Sequence, residues 1–437
     1  MPENGLGAAP RIKGAPPQAR LEETVDAPGP RSAVDGARQR SVDPSRGTNQ
    51  SGVRLYNERL VLSLIRRHGS LAKAEIARLT GLSAQTISVI MRALEADDLV
   101  RKQAPQRGKI GQPSVPFSLN PSGAYFLGLK IGRRSSDLVL LDFHGRVLGS
   151  VHEPCPYPTP EGILDFAARA IKTLVGGLSR RARARISGLG IASPFELWNW
   201  EEQIGAPRAS LDGWRDFDIR GEIGRICDWP VYFYNDATAA CGAELVLGNP
   251  GQALDFLYFF IGSFAGGGVV LNGSLFPGRT GNAGALGSLP IPAPGIPGAS
   301  QQLIRSASVY VLEQMLRKAD RDPSVLWRSP DDWGEVGPEL DQWIGQSAAG
   351  LAAATVAAIS VIDFESVIID GAFPTAVRRR LVEATAAAMA GFDLQGLSPV
   401  SIREGTIGSG ARAIGGACLP LLASFTRDRE LLFKEAQ

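Results

Sequence analysis

The sequence predicts an α/β protein in which an N-terminal winged helix-turn-helix precedes two related α/β lobes with a cleft between them. Three observations predict it. Two short helical stretches flank the turn Thr80-Gly81-Leu82-Ser83 and lead into a segment with a basic centre. The pattern Phe126-Leu127-x-x-x-Ile131-Gly132, followed by Val139-Leu140-Leu141, returns as Phe256-Leu257-x-x-x-Ile261-Gly262 followed by Val269-Val270-Leu271, at a constant offset of 130. A chain of 437 residues also exceeds what one ordinary hydrophobic core organises.

Composition excludes several classes. A hydrophobic share of 44% with 21% charged residues is neither collagen-like nor wholly disordered. Cys155, Cys227, Cys241 and Cys418 stand far apart with no Cys-x-x-Cys, and the histidines are His68, His144 and His152, so neither a disulfide scaffold nor a Cys/His zinc module is spelled out. The first thirty residues lack a signal-peptide apolar run. The most membrane-like stretch, Ser347 to Ile362, is mostly alanine and reads as a buried helix, so the expected location is the cytoplasm with no membrane partner. Charge is uneven: residues 1–120 hold 18 of the 46 Lys/Arg and 11 of the 44 Asp/Glu, net +7, which leaves 28 against 33, net −5, for the rest. A basic end on an acidic remainder suggests a nucleic-acid contact, with solvated charge as the plainer alternative.

Residues 1–48, rich in Pro, Gly, Ala and Arg, show no apolar periodicity and are expected to form a disordered tail. A first helix is expected from near Leu55, with Leu60, Leu62, Leu64 and Ile65, to His68-Gly69. A second follows at Ala72 to Leu79, carrying Ile76 and Leu79 inward. Gly81 tolerates a left-handed turn and Ser83 can cap a third helix, Ala84 to Ala96, whose Ile87, Ile90, Met91 and Leu94 share one face. Gln85, Thr86, Ser88 and Arg92 then lie on other, polar faces. Arg101 to Leu119 reads as a hairpin whose tip holds Arg107, Lys109 and Gln112.

Residues 49–120 thus form a winged helix whose contacts to a double-stranded DNA operator are expected from Ser83, Gln85, Thr86, Ser88 and Arg92 in the major groove and from Arg107, Lys109 and Gln112 in the wing. A helical bundle used only for packing is the alternative. Beyond Asn120-Pro121, each repeat copy reads as strand, glycine turn, strand, with helical stretches behind it such as Ile163 to Leu178 and Gln301 to Lys318. Lobe one is expected at about 121–240 plus a C-terminal helix, and lobe two at about 241–415.

The order of winged helix, paired glycine hairpins, Tyr234-Asn235-Asp236-Ala237 and Gly278-x-x-Gly281-x-Ala283-Gly284 resembles the repressor, open reading frame, kinase (ROK) family of bacterial sugar-responsive regulators and sugar kinases. The resemblance spans about residues 48–437. It implies the actin-like, ribonuclease-H-like pair of ATPase lobes, with a sugar at the cleft and nucleotide phosphates in the two hairpins. In the family's kinases the aspartate at the position of Asp236 takes the sugar hydroxyl proton; here it either does so or only holds a hydroxyl. The ligand-binding residues implied are Asn235, Asp236, Glu244, Gly266 and Gly267.

Other kinase positions depart from the family pattern. The first hairpin's metal-positioning aspartate is replaced by Lys130, followed by Arg133 and Arg134, which read as solvated loop charges or, alternatively, an anion site. Phe264 stands where the second hairpin should approach phosphate. Ala285 and Ser288 occupy the places of the family's sugar-binding glutamate and zinc-binding histidine, and Pro292 to Gln301 retains the glycines of the zinc loop without its cysteines, so no cofactor or metal is expected. The expectation is a DNA-binding repressor of carbohydrate-metabolism genes, a homodimer or homotetramer, responding to a small carbohydrate-like effector. It has no catalytic residue, unless Asp236 serves the alternative of an ATP-dependent sugar kinase. A ligand-blind scaffold answering to a protein partner is a third reading.

Overall fold

A computed structural model of the chain describes residues 50–105, 114–200, 206, 207, 209–248, 253–334 and 336–427. The proposed tail, residues 1–48, and the wing-tip residues Arg107, Lys109 and Gln112 lie outside the described residues.

The winged helix is built as the apolar spacing dictates. Helix α1 spans Gln50–His68, strand β1 Leu71–Ala72, helix α2 Lys73–Thr80 and helix α3 Ala84–Ala96, with strands β2 at Val100–Lys102 and β3 at Pro116–Leu119. Gly81 ends α2 in the left-handed region at φ 71°, where a side chain would be strained, and Ser83 caps α3 by accepting from the Thr86 amide. Ile87, Ile90, Met91 and Leu94 bury the inner face of α3. The strands form one antiparallel sheet in the order β1-β3-β2, so the wing is a three-stranded rather than a two-stranded device; two residues are too few to show a period in sequence. Leu79 is a correction. It points outward and is 40% exposed, because the short α2 packs through Ile76, with Ala77 beside it.

Two five-stranded sheets follow with the same connectivity. The first runs β6-β5-β4-β7-β8, from strands β4 Tyr125–Ile131, β5 Ser135–Asp142, β6 Val147–Pro154, β7 Ile186–Ser193 and β8 Val231–Asn235. The second runs β11-β10-β9-β14-β15, from β9 Phe256–Ile261, β10 Ala265–Leu271, β11 Ser274–Leu275, β14 Ser366–Gly371 and β15 Ser401–Glu404. In each, the first three strands form an antiparallel meander and two further strands join in parallel.

The repeat is not quite congruent. Val139 pairs with Gly128, yet its counterpart Val269 pairs with Leu257, not Tyr258, so the second hairpin is one residue tighter. With side chains alternating at a period of 2, that single residue swaps which face the second strand presents. Accordingly Val139 packs with Phe126, whereas Val269 packs with Leu257 and Phe259.

Two helices lie between the sheets. The helix Asp236–Leu247 sits on lobe two, where a Cβ on Gly266 or Gly268 would collide with Ala237 or Cys241. The helix Ala411–Phe425 sits on lobe one, so close that a Cβ on Gly128 or Gly190 would overlap its backbone at Ala413, Ala417 or Gly416. The two helices touch through Gly415 and the Ala239 carbonyl. Behind lobe one, the helix Pro160–Gly176 buries Ile163, Phe166 and Ala170; behind lobe two, Pro338–Ile359 contains the alanine-rich stretch and buries Trp343, Leu351 and Thr355. The stretch Gln301 to Lys318, expected as helical, is two strand residues followed by two helices, Ile304–Ala307 and Val309–Lys318. They break at Ser308, which has extended backbone and whose hydroxyl accepts from the Ala265 amide at 2.9 Å.

The winged helix is seated on lobe one. Val61, Ile65, Phe117 and Leu119 share one apolar core with Phe126, Phe143 and Leu421. Asp98, at φ 62°, accepts from Arg181 at 2.6 Å and Arg185 at 2.8 Å, and Arg59 Nη1 donates to the Ala423 carbonyl at 2.7 Å.

Candidate functional site

The residues that the family resemblance assigns to the cleft gather at the carboxyl ends of the parallel strands β4, β7 and β8, where such sheets usually bind ligands. Lys130, Ala192 and Tyr234 stand in one row of the hydrogen-bonded register, and Asn235-Asp236 follows at once. Asn235 turns the chain into the next helix: its Oδ1 accepts from the Ala237 amide at 3.0 Å, placing Asp236 in the first turn. Asp236 Oδ2 then meets Arg412 Nη1 at 3.2 Å, and both side chains are mostly buried. Arg412 comes from the first turn of the helix Ala411–Phe425 and also lies over the Phe260 ring, 5.2 Å from its centroid.

Lys130 shares the face of β4 that carries Phe126 and Gly128, the face turned to that same helix. Its Nζ donates to Asp137 at 2.6 Å and Ser135 at 3.0 Å, and the other Asp137 oxygen meets His152 Nδ1 at 2.6 Å. Burial, reinforced by repulsion from Arg412, pulls the Lys130 ammonium below its ordinary range. Asp137 is held below the usual carboxylate range, because Lys130 and His152 outweigh the upward push of burial.

The turns of the two hairpins meet across the cleft. The Arg133 guanidinium stacks on the Phe264 ring. Arg134 forks onto Glu313 at 2.9 and 3.2 Å and lies over the Trp327 ring, 4.0 Å from its centroid; Arg317 reaches the same carboxylate at 2.6 Å. The reading of Arg133 and Arg134 as solvated charges is therefore corrected. Both are packed against lobe two, as an aromatic ring and a buried carboxylate there provide partners that the local sequence does not reveal.

Other expected ligand residues lie elsewhere. Glu244 is fully buried two turns beyond Asp236, and its carboxylate accepts from the Thr406 amide at 2.9 Å and the Thr406 hydroxyl at 3.0 Å, so it anchors a loop. Gly266 and Gly267 are within β10, not in the turn, and their missing side chains admit Ala237 and Leu286. Pro292 to Gln301 lies in a small hairpin, β12 Pro290–Pro292 with β13 Ser300–Gln302, turned by Gly295 and Gly298 at φ 72° and 77°. On the DNA side, Gln85 and Arg92 are exposed on α3, Ser83 is exposed but engaged as the cap, and Thr86 and Ser88 are half-buried.

Sequence reasoning missed Arg412, Asp137 and Glu313. Arg412 carried a signal, as the one charged residue in an otherwise small and apolar helix; Asp137 and Glu313 matter only through partners distant in sequence or across the lobes.

Comparison with known proteins bears on both ends of the chain. Residues 126–302 match the ROK family and residues 56–109 the MarR family. An uncharacterized protein of Sinorhizobium fredii is 24% identical over 84% of this chain and 91% of its own length. The xylose repressor of Bacillus spizizenii is 25% identical over 56% of this chain, which spans only 62% of that repressor. A crystal structure of a ROK family transcriptional regulator, a homologue of the Escherichia coli MLC protein, superposes with a TM-score of 0.62 at 20% identity, covering 87% of this chain and 99% of the other.

Proposed function

We propose, from the matches of residues 126–302 to the ROK family and of residues 56–109 to the MarR family, that the chain is a DNA-binding transcriptional repressor of carbohydrate-metabolism genes. In this reading Gln85, Thr86, Ser88 and Arg92 face the major groove of an operator, and Asn235 and Asp236 hold a small carbohydrate-like ligand. The observation that carries it is one helix. Ala411–Phe425 places Arg412 on Asp236 at its first turn, and at its last turn the Ala423 carbonyl accepts from Arg59 of α1 while Phe425 packs on Phe126 and Phe143. A helix of 15 residues reaches about 22 Å, so a ligand that competes with Arg412 for Asp236 acts on the rod that supports the winged helix. In a dimer on two half-sites, a small tilt of that support mismatches their spacing. We place the working form as a homodimer or homotetramer in the cytoplasm; among the described residues no helix is long and apolar enough to cross a membrane.

Sensing rather than catalysis is supported by what fills the kinase positions. Lys130 is tied to Asp137, and Arg133 stacked on Phe264 occupies the turns where phosphates would be cradled. Asp236 is the one position that favours a kinase.

Asp236→Asn tests the reading. Loss of the charge should raise the ligand concentration needed for operator release about tenfold or more, with far less change in ligand-free operator affinity, since Asn still accepts from Arg412. Sugar phosphorylation by the wild type that disappears in Asp236→Asn would move the protein to the kinase branch. The reading also includes no structural zinc, as Pro292 to Gln301 offers no thiol or imidazole. Elemental analysis of dialysed protein should find less than stoichiometric zinc.

A further inference from the structure

We propose that the ligand of this cleft is an anionic carbohydrate, one bearing a carboxylate or a phosphate, with Arg412 and Lys130 receiving the charged group while Asn235 and Asp236 read hydroxyls. The inference deepens the repressor reading above and rests on it. Its first support is an unspent donor. Arg412 uses Nη1 on Asp236, while its Nε is sheltered from water and has no hydrogen-bond partner among the described residues. A guanidinium offers five donors in a rigid fork suited to a two-oxygen anion, and a buried donor left unused is costly.

The second support is charge in a confined place. Lys130 approaches the first turn of Ala411–Phe425 from β4, because Gly128, two residues earlier on the same face, already touches Ala413 and Ala417. Around the cleft and its closing hairpin, and setting Arg133 aside, Lys130, Arg134, Arg317 and Arg412 share three carboxylates, Asp137, Glu313 and Asp236. Two guanidinia sit on Glu313 alone. Arg317 is half exposed, so solvent screens part of that surplus; a bound anion offsets the remainder, which a neutral sugar leaves standing.

The third support is orientation. Asp236 and Arg412 are joined in one ion pair, so a ligand with both hydroxyls and an anionic group can engage each partner with its complement: hydroxyl donors to the carboxylate, anionic oxygens to the guanidinium. No covalent step is involved.

Titration calorimetry on the full chain would compare gluconate, glucuronate and glucose 6-phosphate with glucose and xylose, and with inorganic phosphate alone. At least one acidic sugar should bind about tenfold or more tightly than its neutral parent, and the carboxylate and phosphate arms identify which anion. Arg412→Gln and Lys130→Met should each reduce that preference about tenfold. Arg412→Lys, which keeps the charge, should retain part of it, and thermal melts of all three identify any variant that does not fold. Neutral sugars binding as tightly as acidic ones would overturn the inference and leave the carbohydrate-sensing reading intact. Inorganic phosphate matching the sugar phosphate would overturn it as well, by showing an anion site without sugar recognition. Absence of binding by every sugar, charged and neutral, would remove both readings.

Discussion

Replacing Asp370 by alanine should lower the free energy of unfolding by about 3–5 kcal/mol, because it strands a buried cation. Asp370 is fully buried at the end of β14, where it accepts from Arg378 Nη1 at 2.9 Å, the Tyr258 hydroxyl at 3.2 Å, and the Gly371 and Gly408 amides at 2.9 Å each. Arg378 is itself nearly buried and, among the described residues, has Glu404, at 3.5 Å, as its second carboxylate. The same logic supplies the control. Asp370→Ala combined with Arg378→Met removes both charges and should be clearly less destabilised than the sum of the two single changes. Urea unfolding of the four proteins measures this, and a strictly additive double variant would mean that the pair is not coupled.

The second large effect concerns DNA. Gln85→Ala and Arg92→Ala should each weaken operator binding by about 1–3 kcal/mol if they read base edges, roughly tenfold to a hundredfold, and alter which bases are preferred. Their exposure on α3 means that thermal stability should hardly move. Arg101, also exposed, should act differently: its loss reduces the dependence on salt by about 0.9 in the log–log slope if it touches one phosphate, without changing base preference. Gel shifts on the operator and on base-substituted variants separate these outcomes, and base preference untouched by both α3 substitutions would remove α3 from the groove. Point changes suit this question better than removal of residues 50–120, since Val61, Ile65 and Phe117 complete a core that also contains Phe126 and Phe143 of lobe one.

Local order is what the sequence determined by itself. The third helix, Ala84 to about Ala96, was legible, because Gly81, Ser83 and the spacing of Ile87, Ile90, Met91 and Leu94 all act within a few turns of chain. The twofold repeat was legible as well, since recurrence at 130 residues needs no knowledge of packing. Asn235 and Asp236 were singled out by the resemblance to the ROK family; the local chemistry of a strand-ending Asn-Asp accounts only for the helix cap that Asn235 makes. Register was not legible. One residue fewer in the second hairpin shifts the pairing of Val269 from Tyr258 to Leu257, and backbone hydrogen bonds form equally well in either register until side-chain burial selects one. Only the tertiary structure decided the cleft's chemistry. Arg412 lies 176 residues from Asp236, and Glu313 lies 179 from Arg134. An ion pair at that separation exists only because folding brings its partners together, and the glycines that make room for it, Gly128, Gly190 and Gly415, show their purpose only once the helices lie on the sheets.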